Sequence, residues 1–154
     1  ILHYDSIMWL DYSLKTLRSN GYKITRPRRK ILDILDQMDK PLSPYGIQKL
    51  LRDDGNYLDH VTIYRILDLL CTLNLAHRVL SVGGFKKCTL NDEEGCHRYM
   101  ICRICGDLQE FADTALCDME NKVADKFGFQ TEHHQTEFSG VCSFCRSQSS
   151  SNES

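Results

Sequence analysis

Apolar positions recur at helical spacing through residues 1–90. Ile7, Leu10, Leu14 and Leu17 form one stripe between Ser6 and Ser19, and Asn20-Gly21 closes it. Thr25 is placed to cap a second helix that has Pro27 in its first turn, with Ile31, Ile34, Leu35 and Met38 facing inward. Ser43-Pro44 opens a third, running to about Arg52, with Ile47, Leu50 and Leu51 inward. Asp59 or His60 opens a fourth over residues 61–73, whose apolar face is Val61, Ile63, Ile66, Leu67, Leu70 and Leu73. The period then changes. Residues 75–80 and 85–90 read as strands around the turn Ser81-Val82-Gly83-Gly84. Helices followed by a hairpin predict a winged helix, and its last two helices make a helix-turn-helix.

Beyond residue 95 the pattern mixes strand and helix. Residues 98–102 and 108–111 are strand-like. Asp113 or Thr114 caps a helix to Phe127 with Leu116, Met119, Val123 and Phe127 inward, and residues 129–138 read weakly as a third strand. The fold class is therefore α+β. The expected divisions are residues 1–90, 91–146 and a Ser-rich, disordered tail at 147–154. The first ten residues lack a basic region followed by an apolar core, so no signal peptide is predicted, and no apolar run approaches a membrane span.

Charge separates the two halves. Residues 1–90 carry 14 Lys/Arg against 9 Asp/Glu, whereas residues 91–154 carry 5 against 12, so only the first half suits a polyanion. Arg26, Arg28, Arg29 and Lys30 cluster at one helix start, where phosphate contact competes with an ordinary solvated turn. Thr62, Tyr64 and Arg65 lie early on the fourth helix, the part of a recognition helix that enters the major groove. Arg65 suits a guanine edge, with an ion pair to Asp68 as the bland alternative. Lys86 and Lys87 on the wing are further candidates for backbone contact.

The cysteines add the chemistry. Cys102-x-x-Cys105 and Cys142-x-x-Cys145 are two paired turns, a pattern that suits a tetrahedral four-thiolate zinc site better than a redox pair, which needs one such spacing. Eight cysteines without a secretory signal fit a reducing, cytoplasmic setting. A second set, His77, Cys88, His97 and Glu110, offers two nitrogens, a sulfur and an oxygen, which zinc accepts. Taken blind, scattered residues of these types are more often ordinary core and surface groups. No glycine-rich nucleotide loop and no open zinc beside a general base is evident, which disfavours a zinc-dependent or thiol-redox enzyme.

Together, TRPRRKIL, VTIYRILDLL, GGFKKCTL, CHRYMICRICGDLQEF and the distal C-x-x-C resemble the ferric uptake regulator superfamily over about residues 10–146. The resemblance implies an N-terminal winged helix, a C-terminal α/β dimerisation domain, and a homodimer that binds palindromic double-stranded operator DNA when loaded with metal. Within the superfamily the chain looks most like a zinc uptake regulator. The His-rich stretch of iron-sensing members is replaced by Cys96, His97, Arg98 and Tyr99, and Cys88 stands where they carry a Glu. The implied sites are structural zinc at Cys102, Cys105, Cys142 and Cys145 and regulatory zinc at His77, Cys88, His97 and Glu110, two Zn2+ per protomer. The implied function is repression of zinc-uptake genes, with an iron- or other-metal-responsive regulator on the same fold as the alternative. Cys96, Cys117 and His134 lie near a further metal site of some members, into which Arg98 would bring a positive charge. His60 and His133 are read as surface or capping residues, and Cys71 as core.

Overall fold

The computed structural model describes residues 6–90, 96–132 and 134–150 and divides into two compact units, Ile1–Asn91 and Asp92–Ser154. His133 and residues 91–95, next to the expected boundary after residue 90, lie outside the described residues.

In the first unit, α1 (Ser6–Ser19), α2 (Arg26–Gln37), α3 (Pro44–Asp53) and α4 (His60–Thr72) precede the hairpin β1 (Ala76–Val79) and β2 (Gly84–Lys87). Each of the last three helices starts on a side-chain cap. Thr25 accepts from the Arg28 amide, Ser43 from that of Gly46 and Asp59 from that of Thr62, which satisfies an amide left over at each helix start. Asn74, at φ +54°, turns the chain out of α4. One apolar cluster joins Trp9, Leu14 and Leu17 of α1 to Ile31, Leu32, Leu35, Ile47, Leu51, Ile63, Leu67, Leu70 and Phe85. Val61 does not join it. It is 58% exposed, because the buried stripe of α4 runs through Ile63, Ile66, Leu67 and Leu70.

The hairpin is shorter than its sequence suggests. Leu80–Val82 form a 3-10 turn, which ends β1 before Leu80. Leu42 exchanges two backbone hydrogen bonds with Phe85, at 2.9 and 2.8 Å, and so ties the wing to the α2–α3 connector. Gly84 permits this approach, since a Cβ there would lie 2.9 Å from that of Pro41.

The second unit is a three-stranded sheet in the order β4 (Leu108–Ala112), β3 (His97–Cys102), β5 (Glu137–Gly140), with α5 (Thr114–Lys126) between β4 and β5 and α6 (Ser143–Ser150) at its end. β4 runs antiparallel to β3 and β5 runs parallel to it. The third strand occupies only the end of the expected segment. Helix α6 continues to Ser150, into the tail expected to lack order, and residues 151–154 lie outside the described residues. The expected inward face of α5 is a correction: Met119, Val123 and Phe127 are 64, 53 and 84% exposed. Among the described residues of this unit the buried apolar side chains are Tyr99, Cys102 and Cys145. Among all described residues, no helix is long and apolar enough to cross a membrane.

Candidate metal centres and nucleic-acid interface

The parallel pairing of β3 with β5 brings the paired cysteines together. Cys102 ends β3 opposite Gly140 of β5, so both chains leave the same end of the sheet directly into their C-x-x-C turns. The four sulfurs of Cys102, Cys105, Cys142 and Cys145 lie within 4.8 Å of one another, with Cys105 and Cys142 at 3.8 Å. A zinc–sulfur distance of ~2.3 Å sets the edge of an S4 tetrahedron at ~3.8 Å, so the donors fit that ion. The amide of Cys142 points at Cys102 Sγ at 3.4 Å, and that of Cys145 at Cys142 Sγ at 3.4 Å. Backbone N–H groups of Cys105, Cys142 and Ile104 lower the Cys102 thiol to about 6. Burial, with the neighbouring sulfurs, pushes Cys145 up to about 12. The Cys102 thiolate is thus favoured by the turn itself, while charge on Cys145 calls for a cation to offset its burial.

The second candidate set is distributed over both units, a pair in each. In the first, the Cys88 amide donates to Leu75 O at 2.9 Å, extending the hairpin ladder by one step. Leu75 therefore faces Cys88, and His77, two residues further on, lies on the same face, diagonal to it. Cys88 is buried. In the second, Glu110 is paired with Tyr99, so His97 is its diagonal neighbour on one face of the β3–β4 ladder. His97 Nδ1 lies 3.3 Å from Glu110 Oε1, and both side chains are buried. Each pair is thus a sheet diagonal, a sulfur with a nitrogen in one unit and an oxygen with a nitrogen in the other.

Cys96, Cys117 and His134 are also gathered in the second unit, but around a guanidinium. Arg98 is buried, bonds to Glu120, and donates toward Cys117 Sγ at 3.5 Å from both terminal nitrogens. Glu120 also bonds to His134 and accepts from Thr136 at 2.9 Å. Glu120 was not a sequence candidate, because a helical Glu carries no sign of a buried arginine two elements away.

On the basic face, Arg65 is exposed, and the alternative pairing with Asp68 is not formed among the described residues. Tyr64 is 37% exposed. The Thr62 hydroxyl donates to Asp59 at 2.7 Å, so it serves the α4 cap, and Asp59 rather than His60 is the capping residue. Arg26 bonds to Asn56 at 3.1 Å, Arg28 to Lys23 O at 2.6 Å and Arg29 to Asp33 at 2.9 Å. Those local partners give the cluster a structural role alongside any phosphate contact. Lys86 and Lys87 have partners too. Lys87 pairs with Asp36 at 2.9 Å and Lys86 bonds to Asp39 O, so both hold the wing against the end of α2. Sequence reading passed over Tyr45, which is 69% exposed with its ring 4.0 Å from that of His60. An aromatic in the first turn of a helix was the available signal.

Comparison with known proteins agrees with this layout. The model of the ferric uptake regulator family matches residues 19–139. The ferric uptake regulation protein of Legionella pneumophila is 30% identical over 131 residues, covering 84% of this chain and 96% of the relative. A zinc uptake regulator solved in complex with zinc and DNA has a TM-score of 0.84 at 25% identity, covering 96% of this chain and 99% of its own. The ferric uptake regulator of Vibrio cholerae has a TM-score of 0.50 at 28% identity, covering 84% and 98%. The chain belongs to the ferric uptake regulator family, and it is a metal-responsive transcriptional regulator rather than an enzyme.

Proposed function

We propose that the protein is a cytoplasmic, zinc-responsive repressor that binds palindromic operator DNA as a metal-loaded homodimer and controls zinc-uptake genes. The observation that carries the zinc assignment is Cys88, a buried thiol diagonal to His77 on the wing. With the His97–Glu110 diagonal it completes an N2SO donor set, and thiolate with imidazole favours zinc over iron. In this reading His77, Cys88, His97 and Glu110 sense zinc, while Cys102, Cys105, Cys142 and Cys145 hold a structural zinc. The likeness to a zinc uptake regulator supports it. The outward apolar face of α5 supports the dimer, since Met119, Val123 and Phe127 need a second surface to cover them. Tyr64 and Arg65 read bases, and Arg26, Arg28 and Arg29 position phosphates. Binding zinc couples to DNA affinity by about 1–3 kcal/mol.

The test is binding to a labelled palindromic operator pool, followed by anisotropy at fixed salt while free zinc, ferrous iron and manganese are each buffered. Tight binding driven by traces of free zinc, and weakened by Cys88→Ser without loss of fold, is expected. Binding driven by iron would reassign the metal in line with the names of the sequence relatives. Binding indifferent to metal would remove the sensor.

A further inference from the structure

Cys117 Sγ, on α5, receives N–H groups from three directions. The Cys96 amide reaches it at 3.3 Å, and both terminal nitrogens of Arg98 approach it at 3.5 Å. A sulfur that only accepts is a sulfur built to be a thiolate. Burial raises the Cys117 thiol, but the Cys96 amide and Arg98 outweigh it and hold the group below its ordinary value. Cys96, whose own amide makes that 3.3 Å contact, supplies a second thiol beside it. Both side chains keep partial access to solvent. The Arg98 guanidinium is fixed by Glu120 and by Cys96 O at 3.2 Å, and Glu120 is held in turn by Thr136 and His134. A buried fixed positive charge stands between these donors, so a metal ion would meet repulsion.

We propose that Cys96 and Cys117 form a peroxide-oxidisable pair, separate from both metal centres, with Cys117 as the attacking thiolate and Cys96 as the resolving thiol. The Cys117 thiolate attacks one oxygen of hydrogen peroxide, the O–O bond breaks, and hydroxide leaves to take up a proton as water. The product is a Cys117 sulfenic acid. Cys96 sulfur then attacks Cys117 sulfur, the S–O bond breaks, and a second water leaves as the disulfide forms. Two thiols are oxidised by two electrons and one peroxide yields two waters. Arg98 is a positioning residue that orients and stabilises the thiolate without bonding to the oxidant.

The four zinc-bound thiolates are the competing targets, so the test compares the two. The zinc-loaded full-length protein is treated with hydrogen peroxide near stoichiometry. Thiols are then blocked with an alkylating agent, peptides are mapped by mass spectrometry, and released zinc is followed with a chromophoric chelator. The expected result is a linked Cys96–Cys117 peptide that dithiothreitol reverses, formed before zinc release and at least about tenfold faster than Cys71 is modified, since burial pushes the Cys71 thiol up to about 11 while Cys117 is held below its ordinary value. In Cys96→Ser the Cys117 sulfenic acid persists and is trapped by dimedone. Zinc release while Cys96 and Cys117 are still reduced would overturn the proposal. So would a Cys96→Ser protein in which dimedone labels no Cys117. The wild-type map alone decides the first point, whatever the variant's stability.

Discussion

Removing zinc from the four-cysteine site should melt the second unit and leave the first folded. The magnitudes follow from where apolar surface is buried. The whole apolar cluster lies between Trp9 and Phe85. Among the described residues of the second unit the buried apolar side chains are Tyr99, Cys102 and Cys145, and two of those are the site's own thiols. One fully buried aromatic stabilises by roughly 1.5–3 kcal/mol. A structural zinc contributes about 10–16 kcal/mol of apparent binding free energy, several times the contribution of that one ring. The assay uses two reporters. Trp9 is the only tryptophan, is 2% exposed, and donates its indole N–H to Leu75 O at 3.2 Å, so its emission reports the first unit. Amide hydrogen exchange in β3 and α5 reports the second. With a strong zinc chelator, β3 and α5 should lose protection while Trp9 emission stays native, and added zinc should restore both. Cys105→Ser should behave as the chelated protein does. Unchanged protection in chelated protein would refute the reasoning, because the sheet and α5 would then stand without metal. Loss of the Trp9 signal in step with α5 would refute the independence of the two units.

Three further outcomes follow from the same geometry. Arg65→Ala should reduce discrimination between matched and mismatched half-sites by about 1–3 kcal/mol, read as anisotropy-measured affinity ratios at fixed salt, with little change in nonspecific binding. Phe127→Glu, at an 84% exposed position, should leave the monomer folded by circular dichroism but shift the mass measured by light scattering from dimer to monomer. Glu120 is held below its ordinary value of 4.5, because hydrogen bonds from Thr136, His134 and Arg98 outweigh the effect of burial. The unfolded chain therefore binds more protons in that window. The stabilisation is complete above about pH 4.5 and is lost as pH falls through the folded-state value, so Glu120→Gln should flatten the acid limb of stability measured by denaturant melts.

Much of the first unit was legible because its decisive signals are local. Thr25, Ser43 and Asp59 each lie three residues from the amide they cap, and the α2 and α4 stripes close on a core supplied by the same unit. Where a partner lies far along the chain, residue type alone does not name it. Lys86 and Lys87 read as cations for a polyanion, yet their partners are Asp39 and Asp36 at the end of α2, 47 and 51 positions away. The outward face of α5 has the period of any buried helix, and a periodic stripe records that something covers it, not whether the cover comes from the same chain. The paired cysteines are nonlocal too, yet they stood out, because few alternatives use two C-x-x-C turns, and the parallel β3–β5 pairing then delivers both turns to one end of the sheet. Arg98 marks the opposite limit. A lone arginine in a strand reads as surface, and only the convergence of Cys96, Cys117 and Glu120 on it, with His134 holding Glu120, explains its burial. Residue type is informative at a distance when the chemistry admits few partners, as thiolates around zinc do. A guanidinium can bond to a carboxylate, a thiolate or a carbonyl, so its place in the fold is legible only once the fold is known.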